Sequence, residues 1–395
     1  MNYQDNGAAL MAAVERNDGN AVERLLQGGA PLDHRDARGR TPLMAATQTN
    51  NLAIAKRLIE AGSDVNARDD AQLTPYLCAG ANGFDAILRE MIGAGADLRS
   101  VNRFGGTALL PASEKGYLRT VQLCLGAGVA VDHVNGLGWS ALLEAVILGD
   151  GGRLYGDIAA TLFAAGADIN LYDRAGRSAL MHAEALGQSR VLRIFGSAPR
   201  ATERTLIGRV RSLIRRYDYG TALNMLAEAR GPECDPLDLH YYRGYVLGEM
   251  RRCDEAIDEY RLALTLDRQA LEFHVYIANG LRSLQRADDA LREYDTAIAL
   301  QPEAAFARYQ KSNYLRELNR HHQALVEMDV LLAQQPRRCD FWFHKANSLR
   351  SLGRQDEAIA AIEHAIAADP TNPLYREHKA QSLARLRAGP GLNPP

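Results

Sequence analysis

The chain has 395 residues, of which 47% are hydrophobic, so it is long enough for two or more compact domains and too apolar to be disordered throughout. Its 46 lysine and arginine residues are balanced by 48 aspartate and glutamate residues, and the balance holds in both halves. We expect no nucleic-acid partner and no membrane partner, because proteins that bind either surface usually carry a basic excess.

The first half of the chain repeats every 33 residues. A small or hydroxylated residue returns at this interval, with one longer step of 38, at Ala8, Thr41, Thr74, Thr107, Ser140 and Ser178. A glycine series keeps the same steps at Gly29, Gly62, Gly95, Gly128 and Gly166. Each of these glycines closes a short helical pattern, so we expect a left-handed backbone there and two short amphipathic helices in every unit.

The repeated segments TPLMAA (41–46), TPYLCA (74–79) and SALLEA (140–145) resemble ankyrin repeats. The resemblance implies an ankyrin repeat domain over 1–198, with six units including the terminal ones and an insertion near 149–156 in the fifth. The family's usual histidine is replaced at Met44, Leu77, Leu110, Leu143 and Met181. The hydrogen bonds that this histidine makes in the family are therefore absent.

The second half repeats every 34 residues. Alanine recurs at this interval, and prolines that end the second helix of a unit keep the same phase, at Ala222, Ala256, Ala290, Ala324, Ala358, Pro302, Pro336 and Pro370. This period resembles the tetratricopeptide repeat. The resemblance implies five repeats and a capping helix over 203–387, after a short linker at 199–202 and before a disordered tail at 388–395. The predicted fold class is an all-α solenoid in two parts.

One glycine-rich segment, GLGWSALLEAVILGDGG (136–152), matches the pattern G-x-G-x-x-A of dinucleotide-binding helices. In the repeat register these glycines are turn residues, and no strand–helix–strand pattern surrounds them. GDGG then falls in the extra residues between the two helices of the fifth unit, where we expect a plain surface loop. A nucleotide-binding or enzymatic role for this loop stays open as an alternative.

Chemistry-bearing residues form no recognisable catalytic or metal-binding pattern. The ten histidines and five cysteines include no zinc signature, no C-x-x-C pair and no nucleophile motif. The prediction is a protein without enzyme activity, cofactor or metal, whose cysteines are reduced. The N-terminus has no export signal and no segment is apolar enough to span a membrane, which predicts a cytoplasmic protein, with secretion by a specialised system left open.

The ankyrin resemblance implies a partner-binding surface at the hairpin tips. In this register the apolar residues Leu73, Phe104, Leu137 and Trp139 should form one exposed patch, which basic residues flank at Arg38, Arg40, Arg103, Arg174 and Arg177. Tryptophan and arginine are enriched at the energetic centres of interfaces. The alternative is that Trp139 packs against its own unit.

The tetratricopeptide resemblance implies a groove lined by the first helix of each repeat. Asparagine and arginine recur there three residues apart in Asn279/Arg282, Asn313/Arg316 and Asn347/Arg350, and aromatic residues accompany them at Tyr241, Tyr245, Phe306, Tyr309 and Phe343. An asparagine amide can both donate to and accept from a peptide backbone, and arginine can pair with an acidic group. The alternative is that the asparagines are ordinary repeat consensus and the arginines a solvated face.

The function predicted from these patterns is a non-catalytic scaffold that binds two protein partners. One partner would bind the ankyrin tips, and an extended, acidic peptide segment would lie in the groove of the second half. A second hypothesis is a bacterial effector that is delivered into another cell, because HVNGLGWSALLEAVILGDGG (133–152) resembles bacterial ankyrin proteins. Neither the identity of the partners nor the oligomeric state follows from the sequence.

Overall fold

The computed structural model describes residues 3–196, 206–229, 235–368, 370 and 373–388. The chain divides into two compact units, of which the first extends to Phe195 and the second begins at Gly196. The described residues are helical apart from turns and two isolated bridges, Val134 to Ser140 and Tyr172 to Ser178. The predicted all-α fold class is confirmed.

The first unit contains six helix pairs. They are α1 (Tyr3–Glu15), α2 (Gly19–Gln27), α3 (Pro42–Gln48), α4 (Leu52–Glu60), α5 (Pro75–Ala81), α6 (Asp85–Gly93), α7 (Leu109–Glu114), α8 (Leu118–Ala127), α9 (Ala141–Leu148), α10 (Arg153–Ala164), α11 (Ala179–Ala185) and α12 (Ser189–Phe195). The first helix of each pair packs on the first helix of the next, and the second on the second. The unit therefore has two helical layers, and each pair buries its apolar side against its neighbours.

The recurring threonine or serine begins the first helix of most pairs. Its side chain accepts a hydrogen bond from the backbone N–H three residues later, at Met44 (3.3 Å), Leu77 (3.1 Å), Leu143 (3.3 Å) and Met181 (3.4 Å). This bond satisfies one of the N–H groups that a helix start leaves without a partner. Thr107 differs, because α7 begins at Leu109 and no side chain caps it.

The predicted left-handed glycines are confirmed. Their φ angles are 71°, 97°, 86°, 96° and 93° at Gly29, Gly62, Gly95, Gly128 and Gly166. No atom lies within 4 Å of the position that a Cβ would take at any of the five. The backbone angle, and not a lack of space, therefore makes glycine favourable at the end of each pair.

The residues that replace the family's histidine lie in the core between pairs. Met44, Leu77, Leu110 and Leu143 are at most 2% exposed, whereas Met181 in the last pair is 41% exposed. The sixth pair is the last of the first unit among the described residues, so within this unit Met181 has a neighbouring pair on one side only. Loss of the histidine hydrogen bonds is thus accompanied by apolar packing at the four inner positions.

The inserted segment after α9 is more enclosed than the plain surface loop expected from the sequence. Gly151 is buried, and a Cβ there would lie 2.4 Å from Cγ of Gln188. Gln188 Nε2 donates to the carbonyl oxygens of Val146 (2.8 Å) and Gly149 (3.3 Å). The extra residues therefore form a turn that Gln188 covers, and they lead into α10, which has 12 residues.

The described residues of the second unit form eleven helices, each of which packs on the next in the chain. They are α13 (Leu206–Arg215), α14 (Tyr219–Glu228), α15 (Pro236–Glu249), α16 (Cys253–Leu266), α17 (Leu271–Ser283), α18 (Ala287–Leu300), α19 (Ala305–Glu317), α20 (His321–Gln334), α21 (Cys339–Ser351), α22 (Gln355–Ala368) and α23 (Pro373–Ala388). The predicted linker at 199–202 lies outside the described residues. So does the predicted tail at 388–395, except Ala388, which ends α23.

Ion pairs join successive repeats of the second unit at a fixed register. Lysine at the middle of a first helix pairs with an acidic residue on the preceding second helix in Lys311–Asp295 (2.7 Å), Lys345–Asp329 (2.6 Å) and Lys379–Glu363 (2.6 Å). Pairs of this kind contribute little each when they are exposed. Their regular spacing supports the same packing at three successive junctions.

Candidate functional site

The hairpin tips of the first unit are built around one Asp or Asn side chain each. Its Oδ1 accepts two backbone N–H groups, from the residues two and four positions later, at Asp36, Asp69, Asn102, Asn135 and Asp173. All ten distances lie between 2.8 and 3.1 Å. Short polar side chains are favoured in tight turns for this reason.

Arginine side chains connect neighbouring tips near the start of the row. Arg35 Nη1 donates to the carbonyl oxygens of Gly39 (2.7 Å) and Arg68 (2.6 Å). Arg68 Nη1 makes the same pair of bonds one unit later, to Gln72 (2.9 Å) and Val101 (3.1 Å). The tips are therefore held in a fixed register to one another.

The sequence predicts that Trp139 lies at the centre of an exposed patch, and this prediction is wrong. Trp139 is only 9% exposed, and its backbone N–H donates to Asn135 Oδ1 at 3.0 Å. The equivalent residues Leu73 and Arg177 are half-buried. The position lies between the tip and the following helix, and burial of Trp139 removes it from the accessible surface of the tips.

Arg40, at the same position as Trp139, is already paired within the protein. Its guanidinium group contacts Asp36 Oδ2 at 2.6 Å and Glu15 Oε1 at 2.9 Å. Burial acts to raise the pKa of Asp36, but the hydrogen bonds from Arg40 and the tip backbone hold it below its usual value. Arg40 is therefore a structural residue of the first two pairs.

Five of the expected residues remain accessible in the row of tips, and we call them the tip surface. Arg38, Arg103 and Arg174 are exposed, while Phe104 and Leu137 are half-buried. The Arg103 guanidinium carbon lies 4.8 Å from the centre of the Phe104 ring. This surface is basic, with apolar contacts at two consecutive tips.

The aromatic residues expected in the groove of the second unit are mostly buried between helices. Tyr241, Tyr309, Phe343 and Phe306 are 1%, 2%, 5% and 8% exposed. Tyr241 lies 5.3 Å from Tyr276, Tyr309 lies 5.8 Å from Phe341, and Phe343 lies 5.6 Å from Tyr375, between ring centres. Large aromatic side chains fill the junctions between first helices, so they are not open to a ligand. Tyr245 is half-buried beside Tyr241.

The three asparagines, which we call the amide row, are each bonded to the arginine of the same repeat. Oδ1 of Asn279, Asn313 and Asn347 accepts from the guanidinium group of Arg282, Arg316 and Arg350 respectively. Arginine only donates, so the amide oxygen must face it. Among the described residues the three Nδ2 groups have no partner. Asn279 and Asn347 are half-buried, whereas Asn313 is only 7% exposed.

The same arginines reach the first helix of the next repeat. Arg282 Nη2 donates to Glu317 Oε2 (2.7 Å), Arg316 Nη1 to His344 Nδ1 (2.8 Å) and Arg350 Nη2 to His378 Nδ1 (2.5 Å). The sequence analysis did not predict that these three residues accept from the arginines. Their only sequence signal is a histidine 28 residues after the arginine in two consecutive repeats.

The described residues bear on two kinds of chemistry, metal binding and thiol reactivity. Within them no three His, Cys, Asp or Glu side chains are placed to hold a metal ion. Burial raises the pKa of Cys78 and of Cys124 to about 12, so both thiols are protonated at neutral pH and poor nucleophiles. No described helix combines the length and apolar character needed to cross a bilayer.

Comparison with known proteins identifies both kinds of repeat. The family described as ankyrin repeats (3 copies) matches residues 1–69 and 76–173, and the tetratricopeptide repeat matches residues 309–373. A solved ankyrin repeat domain from Acinetobacter baumannii AYE is 48% identical, over 47% of this chain and 94% of that one, with a TM-score of 0.46. The chain belongs to the ankyrin repeat family.

Two further solved structures are similar to the first half of this ankyrin repeat protein. One is an ankyrin repeat protein that is 39% identical, over 48% of this chain and 98% of that one, with a TM-score of 0.47. The other is one chain from the structure of a complex between a Bdellovibrio bacteriovorus predatory endopeptidase and an immunity protein. It is 26% identical, over 48% of this chain and 96% of that one, with a TM-score of 0.42. The comparison with curated proteins gave no match.

The two repeat types are interaction modules that are typically non-catalytic. In this ankyrin repeat protein the tip surface belongs to the ankyrin repeats. The amide row begins before the matched tetratricopeptide segment at Asn279 and continues into it at Asn313 and Asn347.

Proposed function

We propose that this protein is a scaffold that binds two protein partners, one on the tip surface and one along the amide row. The observation that carries the proposal is the state of the three amides. Each has its oxygen bonded to arginine and its Nδ2 group without a partner among the described residues, at a constant interval of 34 residues. The row therefore offers donors in one orientation, which is what the carbonyl groups of a peptide backbone require.

An extended segment is the partner that suits the amide row. Its backbone carbonyls recur at short intervals and need no particular side chains, so a row of fixed donors can hold many sequences. Each amide oxygen already accepts from arginine, and Asn279 Oδ1 accepts from the Tyr294 hydroxyl as well, so the Nδ2 groups retain more free hydrogen-bonding capacity than the oxygens.

A different partner is proposed for the tip surface. The exposed Arg38, Arg103 and Arg174 lie on the same row of tips as the half-buried Phe104 and Leu137, so an acidic surface with one apolar side chain is complementary to it. Trp139 is no longer part of this proposal. The rigid register of the tips supports binding, since little conformational freedom is lost when a partner docks.

Selection from a random peptide library on the full chain tests the amide row. Replacing Asn313 and Asn347 by alanine should weaken the selected peptides by about 0.5–1.5 kcal/mol per lost donor, or roughly two- to tenfold each. Asn224, an exposed asparagine of α14, provides the control, because N224A should leave the affinity unchanged. Peptides that bind the Asn313/Asn347 double variant as tightly as the native chain would refute the proposed site.

A further inference from the structure

A line of exposed side chains runs along α16 in the second unit. Asp254, Asp258, Leu262 and Leu266 follow one another at intervals of four residues, the spacing at which side chains form a ridge on a helix surface. All four are exposed, and the two leucines are 48% and 55% exposed. Among the described residues they are the one pair of exposed large apolar side chains four positions apart on a helix. We call these four residues the α16 ridge.

Packing between repeats does not explain the α16 ridge. The equivalent positions of α18 carry Asp288, Arg292, Thr296 and Leu300, and those of α20 and α22 carry no leucine and no second acidic residue. Side chains that face solvent contribute little to the stacking of helices, so the repeat does not require this combination. Exposed apolar side chains next to carboxylates are instead typical of a docking surface.

The charge at the first half of the ridge is negative. Asp254 and Glu255 lie in the first turn of α16, and Asp258 follows one turn later. Asp258 lies 3.3 Å from Arg261, but both side chains are more than half exposed, so this pair contributes little and the carboxylate stays available to a partner. The second half of the ridge is apolar. A basic surface with apolar side chains is therefore complementary to the ridge.

Three consecutive tips of the first unit present this complementary chemistry. The third tip has the exposed Arg103 beside the half-buried Phe104, the fourth has the half-buried Leu137, and the fifth has the exposed Arg174. Neighbouring helices pack about 8–10 Å apart, so these tips extend over about 16–20 Å. The ridge is about 18 Å long, since a helix rises about 1.5 Å per residue. The two surfaces therefore agree in length as well as in charge and apolar character.

We propose that the α16 ridge of one copy of the chain binds the third to fifth tips of a second copy. The apolar end of the ridge would lie against Phe104 and Leu137, and its acidic end would reach Arg174. The inference rests on the proposed function, because it names the partner of the tip surface. The amide row lies on first helices and the ridge on a second helix, so the contact uses no residue of the amide row.

Sedimentation velocity of the full chain over a range of concentrations tests for self-association. We expect the average mass to rise above that of one chain as the concentration increases. The rise should move to higher concentration when salt is raised from about 0.1 M to about 1 M, because the Debye length falls from about 10 Å to about 3 Å. A chain that stays single at concentrations up to about 1 mM would overturn the inference.

Two double variants drawn from the chain's own repeats test the two surfaces separately. Asp258→Arg with Leu262→Thr gives α16 the equivalent residues of α18, and Phe104→Ala with Arg174→Asp introduces the equivalent residues of the second tip. Each double variant should weaken self-association by about tenfold or more, because like charges then face each other and apolar contact is lost. A double variant that associates like the native chain would show that its surface takes no part.

A mixture of the two double variants tests whether the contact joins two different surfaces. Each variant keeps the surface that the other lacks, so the mixture can form one native contact. We expect the mixture to associate more tightly than either variant alone. Val326→Ala and Arg99→Asn, at exposed positions outside both surfaces, should behave like the native chain. A mixture that associates no better than its components would contradict the proposal.

Hydroxyl-radical footprinting locates the contact in the native chain without any substitution. Oxidation of Leu262, Leu266 and Phe104 should decrease as the concentration rises through the range of self-association, because a bound copy covers these side chains. Oxidation of the exposed Val326 should stay the same. Association that leaves the oxidation of the two leucines unchanged would place the contact elsewhere and overturn the inference.

The outcomes also distinguish this inference from the proposed function. If the chain stays single while selected peptides still depend on Asn313 and Asn347, the self-association is wrong and the peptide surface stands. If the ridge and the tips associate but no peptide depends on these asparagines, the self-association stands and the proposed peptide surface is wrong.

Discussion

Trp139 has a structural role that follows from its position beside the tip of the fifth ankyrin unit. It is 9% exposed and its backbone closes the tip through hydrogen bonds with Asn135, at 3.0 Å in both directions. Trp139→Ala should lower the free energy of unfolding by about 3–5 kcal/mol, because a buried aromatic side chain leaves a cavity. Urea denaturation of the full chain measures this.

Phe104 provides the matched comparison, because it is an aromatic residue of the tip surface and is half-buried. Phe104→Ala should lower the free energy of unfolding by less than half as much as Trp139→Ala does, since less apolar surface returns to water. Equal losses for the two variants would show that Trp139 is no better packed than Phe104.

Backbone angles at single turns offer a second test. Gln285 follows α17 with φ of 58°, and Gly353 has φ of 75° at the equivalent turn two repeats later. A left-handed angle is unfavourable for a residue with a Cβ, so Gln285→Gly should stabilise the protein by about 0.5–1 kcal/mol. Gly353→Gln should destabilise it by a similar amount, and the same change in sign for both variants would contradict the argument. Thermal denaturation checks both.

At the scale of helices and pairs, stacking determines how much each apolar side chain contributes to the free energy of unfolding. Met44 and Met181 occupy the same position in the second and sixth pairs, and they are 1% and 41% exposed. Met44→Ala should lower the free energy of unfolding by about 2–5 kcal/mol, as for other buried methionines. Met181→Ala should lower it by less than about 1 kcal/mol. Chemical denaturation of the two variants measures the difference. Similar costs would mean that the end of the stack is covered in solution.

Helix number, order and caps could be predicted from the sequence because each unit repeats the same local requirements. A hydroxyl that caps four of the first helices and a glycine that follows five of the second helices recur at 33 residues, with one step of 38, and hydrogen bonds or φ angles explain both. The direction of a tip side chain could not be predicted in this way. Positions such as Arg38 and Arg40 are two residues apart, and only the hairpin geometry decides which one faces solvent.

The candidate site was predictable in its asparagine and arginine residues but not in their partners. The interval between Asn313 and Asn347 is visible in the sequence, because the first helices repeat. The bond from Arg316 to His344 joins two helices of different repeats, and helix packing alone brings them together. For the same reason the burial of Tyr241 and Phe343 followed from the packing and not from their helical register.

At the scale of the whole molecule, the chain joins two interaction modules that differ in the chemistry they present. The tip surface of the ankyrin repeats is basic and partly apolar, whereas the amide row offers backbone-type hydrogen-bond donors. A scaffold gains from this difference, because two partners with different recognition chemistry do not compete for one surface.

The most direct test of this account is to observe the amide row itself in the full chain. With ¹⁵N-labelled asparagine, the Nδ2 signals of Asn279, Asn313 and Asn347 can be followed as a library-selected peptide is added. We predict that these three signals shift together and saturate at the peptide's dissociation constant, while the signal of Asn224 stays in place. A peptide that binds the chain and leaves the three amide signals unchanged would contradict the central claim.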